Sequence, residues 1–259
     1  MDNRPIGLFD SGVGGLTVLR VLQRQLPQES VIYYGDLARL PYGSKTPAEI
    51  IAINDDILAY LSGRGVKLII VACNTSSAIA LEHSKNKTAV PLIGVIGPGA
   101  NTAFAVTKNK KIGVLATEAT VKLRVYSKIL TSLNPSLEVF EQACPKFVPL
   151  IERGAAASPE LQAAVEEYLA PLLRQGVDTL IYGCTHYPLI EKAIRAYAGN
   201  DLEYVDPAVG TVALAKEILE RENLLAENHA QCEFVASVIQ GGQYVRVDGR
   251  ELLLRGASA

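Results

Sequence analysis

Two stretches of this chain share one pattern: LIIVACNT at residues 68–75 and TLIYGCTH at residues 179–186. In each, a short apolar run typical of a buried strand leads into a cysteine, Cys73 or Cys184, and hydroxyl-bearing residues follow at once. The two cysteines are separated by about the length of one small α/β domain. The pattern therefore predicts two similar halves that each present one thiol to a shared cleft.

Composition narrows the class of function. The chain has 259 residues, 49% of them hydrophobic, and a net charge of −2, so two domains are expected and no electrostatic surface for nucleic acid or membrane is indicated. The expected partner is a small molecule. No signal-peptide or membrane-spanning stretch is visible, and the four cysteines include no CxxC pair, so we expect a cytoplasmic location.

Short apolar runs alternate with segments of helical period, which predicts parallel sheets of the α/β class. The expected strands are residues 6–9, 31–34, 68–71, 111–115, 137–140 and 179–182, and the expected helices are 16–26, 50–61, about 118–130 and 158–174. Helix starts are predicted at Thr46-Pro47-Ala48-Glu49, Ser158-Pro159 and Asp206-Pro207. Chemistry in such sheets lies at the carboxyl ends of strands, where Asp10, Tyr42, Cys73 and Gly97 fall.

We expect two doubly wound, flavodoxin-like domains related by pseudo-symmetry, with the active site between them. The chain is expected to cross between them at residues 97–99 (Gly-Pro-Gly) and at 206–207, giving a first domain of residues 1–96 plus 207–259 and a second of residues 97–206. Residues 235–247 around Gly241-Gly242 are typical of a β-hairpin, and Asp248-Gly249 of a further turn.

A thiol between a strand and a helix meets backbone N–H groups, which should lower its pKa, so Cys73 and Cys184 are candidate thiolates. His186 and Asp10 are candidate proton carriers on the two sides. His186 would otherwise be a loop histidine bonded to a backbone carbonyl, and Asp10 a helix cap. Cys144 and Cys232 are both interpreted as small buried hydrophobic residues.

The turn DSGVGGLT at residues 10–17 is a candidate anion site, but it does not match GxGxxG. A small carboxylate therefore fits better than a nucleotide, bound with hydroxyls of Ser11, Thr75 and Thr185 and the amide of Asn74. No metal site is predicted, because Cys184 and His186 would need two further ligands. His83 and His229 are expected to be solvated surface residues.

Four motifs together resemble the glutamate racemase family, with matching order and spacing from residue 6 to about 222. They are FDSGVGGLTV at 9–18, YGD at 34–36 with PYG at 41–43, ACNT at 72–75 and GCTHYPL at 183–189. The resemblance implies a cofactor-independent isomerase that interconverts L- and D-glutamate by proton abstraction and donation at two thiols. Its role would be to supply D-glutamate for peptidoglycan.

The resemblance also assigns roles to residues and implies a homodimer. Cys73 would be the base for D-glutamate and Cys184 the base for L-glutamate, assisted by Asp10 and His186 respectively. Glu152 matches a third assisting position. The resemblance also implies which residues contact the substrate: Asp10, Ser11, Tyr42, Gly43, Asn74, Thr75, Thr185 and His186.

Other interpretations are open. After about Ala230 the chain departs from the terminal segment usual in that family, which affects C-terminal packing and oligomer contacts. Aspartate racemase or another amino-acid racemase of the same superfamily is the nearest alternative, although His186 and the turn at 10–17 favour glutamate. Single-cysteine decarboxylases are disfavoured by the second thiol. A non-enzymatic small-acid binding protein and a thiol-redox protein are alternatives from other classes.

Overall fold

The chain forms two β-sheets, each covered by helices. The computed structural model describes residues 1–227 and 230–256, except the side chains of 254–256. The strands are β1 (Ile6–Asp10), β2 (Val31–Gly35), β3 (Leu68–Val71), β4 (Leu92–Gly94), β5 (Lys111–Ala116), β6 (Glu138–Ala143), β7 (Thr179–Gly183), β8 (Glu203–Val205), β9 (Cys232–Gln240) and β10 (Gln243–Asp248).

The two sheets repeat one topology. The first has the order β10-β9-β2-β1-β3-β4 and the second the order β6-β5-β7-β8. All neighbouring strands are parallel except the antiparallel pair β9–β10. Counted within its own half, each sheet contains the order 2-1-3-4 of a flavodoxin-like doubly wound fold. The predicted α/β class and the repeat of the two halves are confirmed.

Helices cover both faces of each sheet, with separate apolar clusters on the two faces. They are α1 (Leu16–Gln25), α2 (Pro47–Gly63), α3 (Asn74–Ile79), α4 (Leu81–Ser84), α5 (Ile96–Val106), α6 (Glu118–Leu123), α7 (Val125–Leu133), α8 (Phe147–Glu152), α9 (Pro159–Arg174), α10 (Glu191–Ala198), α11 (Pro207–Arg221) and α12 (Arg250–Gly256). Burial on both faces explains why β1, β2, β3 and β7 are buried along their whole length. None of the helices in the described residues is both long and apolar enough to cross a membrane.

The predicted helix starts are confirmed in detail. Thr46 caps α2 by accepting a hydrogen bond from the Glu49 amide, and the Glu49 carboxylate in turn accepts one from the Thr46 amide. Ser158 caps α9 by accepting from the Leu161 amide, and Asp206 caps α11 by accepting from the Ala208 amide. Each cap satisfies an amide that has no partner within the helix.

One local prediction was wrong. The helix expected over about 118–130 is two helices, α6 and α7, because Arg124 between them adopts a left-handed conformation with φ 52°. Residues 97–99 lie in the first turns of α5, directly after β4, and the expected crossing between the halves at this point stays a prediction. Proline is tolerated there because the first amides of a helix have no partner within it.

The C-terminal segment adds to the first sheet. Strand β9 pairs in parallel with β2, and β10 returns antiparallel to β9. The predicted hairpin is confirmed, with positive φ angles of 55° and 79° at Gly241 and Gly242. At the further turn, the Gly249 amide bonds the Phe234 carbonyl and α12 follows. The boundaries of the two domains, at 96–97 and 206–207, stay a prediction.

Candidate active site

The carboxyl ends of the strands in the two sheets border one cleft. Its cavity of about 160 Å³ is large enough for a small ligand. Nine of the predicted site residues line it: Ser11, Tyr42, Gly43, Cys73, Asn74, Thr75, Cys184, Thr185 and His186. Cys73 and Cys184 follow β3 and β7, which occupy equivalent places in their sheets. The expected cleft with two thiols is therefore present in the structure.

Polar contacts join the two halves around this cleft. The Thr185 hydroxyl donates to the Asp10 carboxylate at 3.3 Å, and the Thr75 and Thr117 hydroxyls lie 3.0 Å apart. The Tyr126 hydroxyl donates to Oδ1 of Asn74 at 2.7 Å. These contacts hold the loops after β1 and β3 against the second half.

Gly14 allows the halves to approach closely. A Cβ atom at this position would collide with the Thr185 hydroxyl and would lie 2.5 Å from Nδ1 of His186. The Thr17 hydroxyl beside it donates to the Thr185 carbonyl at 3.1 Å. The glycine is thus required by the close approach of the loop carrying Cys184.

Cys184 is supported by a buried histidine and a carboxylate. Nδ1 of His186 lies 3.8 Å from Sγ of Cys184, and Nε2 lies 2.6 Å from Oε1 of Glu152. Burial by itself would lower the pKa of His186, but the hydrogen bonds to Cys184 and Glu152 outweigh it and raise that pKa to about 10. The imidazole is therefore cationic at neutral pH and can stabilise negative charge on the Cys184 sulfur.

Cys73 has a different environment. Burial, followed by the nearby negative charge of Asp10, raises the pKa of Cys73 to about 12, and Ser76 opposes this only in part. The expectation that its position before a helix would lower the pKa of Cys73 is wrong for this structure, because desolvation dominates. Cys73 is therefore protonated at neutral pH, which suits a proton donor.

Asp10 lies behind the cleft wall and caps the turn that follows it. Its carboxylate accepts hydrogen bonds from the amides of Gly12 at 3.2 Å and Gly15 at 2.9 Å, besides the Thr185 hydroxyl. Burial raises the pKa of Asp10, although His186 lowers it in part. These contacts agree with the alternative interpretation of Asp10 as a cap. The role of Asp10 in assisting Cys73 stays a prediction.

The turn at residues 10–17 is occupied by its own contacts. The amides of Gly12 and Gly15 bond Asp10, and those of Leu16 and Thr17 bond carbonyls within the turn. These four amides are unavailable to a bound anion, so the candidate anion site at this turn is not supported. Within this turn, Ser11 lines the cavity.

Tyr42 is fixed by a buried carboxylate. Its hydroxyl donates to Oδ2 of Asp36 at 2.5 Å, and Arg39 donates to the same oxygen at 2.6 Å. The Ser237 hydroxyl on β9 donates to the other oxygen at 2.5 Å. The C-terminal segment therefore reaches the cleft wall through Asp36 and Tyr42.

Several cleft residues were missed in the sequence. Thr117 and Glu118 directly follow β5, as Ser11 and Gly12 directly follow β1, so the repeat of the halves was a usable signal. The others are Leu40, Pro41, Ser44, Cys144, Pro145, Val148 and Pro149. Cys144 follows the end of β6, which was a second usable signal.

Of the remaining cysteines and histidines, Cys144 also borders the cleft, and the others lie elsewhere. Cys144 is 1% exposed, and burial raises its pKa well above the usual range, as for a small core residue. Cys232 begins β9 opposite Val31, at the end of the sheet away from the cleft. His83 is partly exposed and pairs with Asp55 at 3.1 Å, as expected for a surface residue. His229 lies outside the described residues.

Comparison with known proteins agrees with this geometry. A model of the Asp/Glu/Hydantoin racemase family matches residues 6–215. A glutamate racemase of Trichodesmium erythraeum is 50% identical over 219 residues, which cover 85% of this chain and 80% of the relative.

Two solved structures are similar as well. A glutamate racemase isoform from Bacillus anthracis has a TM-score of 0.88 at 38% identity, covering 91% of this chain and 89% of that one. A glutamate racemase from Francisella tularensis in complex with D-glutamate has a TM-score of 0.88 at 34% identity, covering 100% and 95%.

The fold and the site together define a class of protein. Its members are doubly wound α/β proteins in which each half contributes one cysteine to a shared cleft. The chain belongs to the Asp/Glu/Hydantoin racemase family. The resemblance to glutamate racemases and the isomerase class expected from the sequence are thereby confirmed.

Proposed function

We propose that this protein interconverts L- and D-glutamate by moving the α-proton between two thiols. The observation that carries the proposal is the pair Cys73 and Cys184, which enter one cleft from equivalent positions of the two halves. The relatives and structures described above are glutamate racemases, which favours glutamate over aspartate. As in that family, D-glutamate would be the product used for peptidoglycan.

The charges around the two sulfurs suit the direction from L- to D-glutamate. Cys184 is the base on this side: its sulfur, beside the cationic His186, takes the α-proton of L-glutamate, and the C–H electron pair stays on the α-carbon. Protonated Cys73 then donates its proton to the opposite face of that carbon. Cys184 ends as a thiol and Cys73 as a thiolate, so the same steps in reverse convert D-glutamate.

The polar groups of the cleft suit a carboxylate ligand. The Tyr126 hydroxyl occupies the amide oxygen of Asn74, which leaves the Asn74 NH₂ group to donate to a ligand. The hydroxyls of Ser11 and Thr75 provide further donors in the same cleft, whereas the Thr185 hydroxyl donates to Asp10. Donors placed at the α-carboxylate would stabilise the negative charge that develops when the proton leaves.

A proton-exchange experiment tests the reaction and the substrate together. Protein is incubated in D₂O with L-glutamate, D-glutamate or L-aspartate, and loss of the α-proton signal is followed by NMR. We expect exchange of both glutamate enantiomers, formation of the opposite enantiomer by chiral chromatography, and much slower reaction of aspartate. Binding of glutamate without any exchange would instead support the small-acid binding protein.

Cofactor independence has its own test. Prolonged dialysis against a chelator and against hydroxylamine, which removes pyridoxal phosphate, should leave racemisation unchanged. Loss of activity that returns when a metal or pyridoxal phosphate is added would contradict the two-thiol mechanism. The expected homodimer and cytoplasmic location belong to this proposal too, and the mass of the protein in solution by light scattering tests the first of them.

A further inference from the structure

The C-terminal hairpin, formed by β9 and β10, lies outside the part of the chain that matches the family model. That match ends at residue 215, and the hairpin spans residues 232–248. Strand β9 pairs with β2, and Ala236 lies opposite Gly35, the last residue of β2. Ser237, the next residue of β9, therefore lies at the carboxyl edge of the first sheet, which borders the cleft.

Ser237 is a fully buried polar residue that follows two buried apolar ones, Val235 and Ala236. A hydroxyl in such a place is unfavourable unless its hydrogen bonds are satisfied. The Ser237 oxygen accepts from the Ala38 amide at 3.1 Å, and the hydroxyl donates to Oδ1 of Asp36 at 2.5 Å. Because the amide can only donate, the single hydrogen of the Ser237 hydroxyl is directed to Asp36.

Asp36 connects Ser237 to the cleft wall. Its carboxylate is fully buried, and Oδ2 accepts from the Tyr42 hydroxyl at 2.5 Å and from Nε of Arg39 at 2.6 Å. The two oxygens belong to one rigid plane, so holding Oδ1 at Ser237 also fixes the direction in which Oδ2 faces Tyr42. Burial, followed by the negative charge of Asp36, holds the pKa of Tyr42 well above its usual value, so Tyr42 stays a donor.

A second contact joins the hairpin to the same carboxylate. The Tyr244 hydroxyl on β10 accepts from Nη2 of Arg39 at 2.8 Å, and the Arg39 guanidinium lies 4.5 Å from the centre of the Tyr244 ring. Arg39 in turn donates to Oδ2 of Asp36. The hairpin therefore holds Asp36 directly through Ser237 and indirectly through Tyr244 and Arg39.

Tyr42 lines the cavity and begins a short turn of 3₁₀ helix, Tyr42–Ser44. The first amides of such a turn have no partner within it and can face a ligand. The Tyr42 hydroxyl gives its hydrogen to Asp36. Tyr42 therefore contributes to the cleft through its ring and the position of this turn, not as a proton donor.

We propose that Ser237 is a positioning residue for ligand binding: through Asp36 it holds Tyr42 and the turn 42–44 in the conformation that binds glutamate, so that the C-terminal hairpin sets the affinity of the cleft. The identity of the ligand rests on the proposed function. The hold on the turn is a property of the fold and is measurable without any turnover.

Steady-state kinetics of Ser237→Ala test the effect on binding. We expect KM for L- and D-glutamate to rise about fivefold to tenfold, because one oxygen of a buried carboxylate loses its donor. The value of kcat should stay within about twofold of wild type, since contacts made equally in the ground state and the transition state change KM alone. Primary deuterium isotope effects should stay at the wild-type values for both enantiomers. Ser237→Thr keeps the hydroxyl and should restore KM.

A double-variant comparison tests the route from Ser237 to the cleft. Tyr42→Phe keeps the ring but removes the donor to Asp36, so KM should rise by a similar factor. Adding Ser237→Ala to Tyr42→Phe should raise KM little further, because Ser237 acts through Asp36 on Tyr42. Two factors that simply multiply would overturn this route.

Ser127→Ala is the matched control. Ser127 is buried on α7, and its hydroxyl donates to Oε1 of Glu141 at 2.5 Å, so this variant also deprives a carboxylate of a donor. Neither Ser127 nor Glu141 is among the residues that line the cavity. KM should therefore stay at the wild-type value. A rise equal to that of Ser237→Ala would show a general loss of stability and overturn the inference.

Hydrogen exchange followed by mass spectrometry gives a readout that needs no catalysis. In Ser237→Ala, peptides covering residues 41–46 should exchange about tenfold faster, because the turn opens more often. In Ser127→Ala they should exchange as in wild type. Residues 37–39 are left out of this comparison, because the Ala38 amide loses its acceptor in Ser237→Ala whatever happens at the turn.

A wild-type KM in folded, active Ser237→Ala would overturn the inference, with folding checked by circular dichroism. If Ser237→Ala does not fold, Tyr244→Phe takes its place, because it removes the acceptor of Arg39 on the same hairpin. We then expect KM to rise about twofold to threefold with faster exchange at residues 41–46, and wild-type values of both would overturn the inference. A protein without racemase activity would disprove the proposed function and leave the exchange result to decide the role of Ser237.

Discussion

The half that carries Cys73 and the half that carries Cys184 share a strand order, but they surround their thiols differently. On the Cys184 side a cationic His186, paired with Glu152, lies beside the sulfur. On the Cys73 side burial holds the thiol in its protonated form, and the carboxylate of Asp10 adds to this effect. The repeated backbone thus places two equivalent sulfurs, while side chains that differ between the two halves set the charge around each sulfur.

This difference has a consequence for a reaction that must run in both directions. L- and D-glutamate have the same free energy in water, so kcat/KM must be equal in the two directions whatever the environment of each thiol. The unequal surroundings can therefore act only on which proton transfer limits the rate and on how charge is shared between the sulfurs. Isotope effects and pH dependence are the measurements that reveal them.

The largest expected effect comes from removing either thiol. Cys73→Ala and Cys184→Ala should each reduce racemisation by about four orders of magnitude or more, because one side then lacks its base and the other its acid. The double variant should be little worse than either single one, since the two groups act as a unit. Chiral chromatography of the product measures this loss.

Exchange in D₂O then separates the two halves. Cys73→Ala keeps the base for L-glutamate and should still exchange the α-proton of that enantiomer slowly, while Cys184→Ala should exchange only D-glutamate. Cys232→Ala is the control and should racemise normally, because Cys232 lies at the far end of the first sheet. Full racemisation by either cleft variant would contradict the two-thiol mechanism.

The next effect concerns the support that Cys184 alone has. Glu152→Gln removes the carboxylate 2.6 Å from His186 and should lower the pKa of His186 and reduce kcat about tenfold to a hundredfold. The primary isotope effect should rise for L-glutamate more than for D-glutamate, because only the Cys184 side has lost its support. Equal isotope effects from both enantiomers would show that Glu152 does not act on one side.

Stability should reflect the same contact as a function of pH. The pKa of His186 is raised from 6.5 to about 10, so the stabilisation from its protonated form is complete below pH 6.5 and is lost as the pH rises through 10. Glu152→Gln should therefore cost about 1–2 kcal/mol of unfolding free energy at pH 7. The difference between wild type and variant should shrink towards pH 10.5, as urea denaturation at several pH values would measure. A difference independent of pH would indicate lost packing instead.

Much of this architecture was predictable because each signal was local. The apolar runs ending at Val71 and Gly183 are buried on both faces, so periodicity identified them as parallel strands. The caps at Thr46, Ser158 and Asp206 depend on neighbouring residues alone.

What failed depended on three-dimensional surroundings. The raised pKa of Cys73 comes from desolvation by a fold that no short window of sequence encodes. The break at Arg124 has no glycine or proline to mark it. The amides of the turn at 10–17 were expected to face a ligand because the contact of Asp10 with Gly12 and Gly15 is invisible in the sequence.

The smallest expected effect lies at the junction of the halves. Tyr126 is fully buried on α7, and its hydroxyl bonds Oδ1 of Asn74 in the other half at 2.7 Å. Tyr126→Phe keeps the ring and leaves that oxygen without its donor, so the Asn74 amide is free to turn away from the ligand. We expect KM for glutamate to rise about threefold with kcat nearly unchanged, and unfolding free energy to fall by about 1 kcal/mol. Both enantiomers should be affected alike, in contrast to Glu152→Gln, because the contact proposed for Asn74 is with the carboxylate common to L- and D-glutamate rather than with either sulfur. Steady-state kinetics in both directions test this, and a change in kcat larger than the change in KM would place Tyr126 in the proton transfer itself.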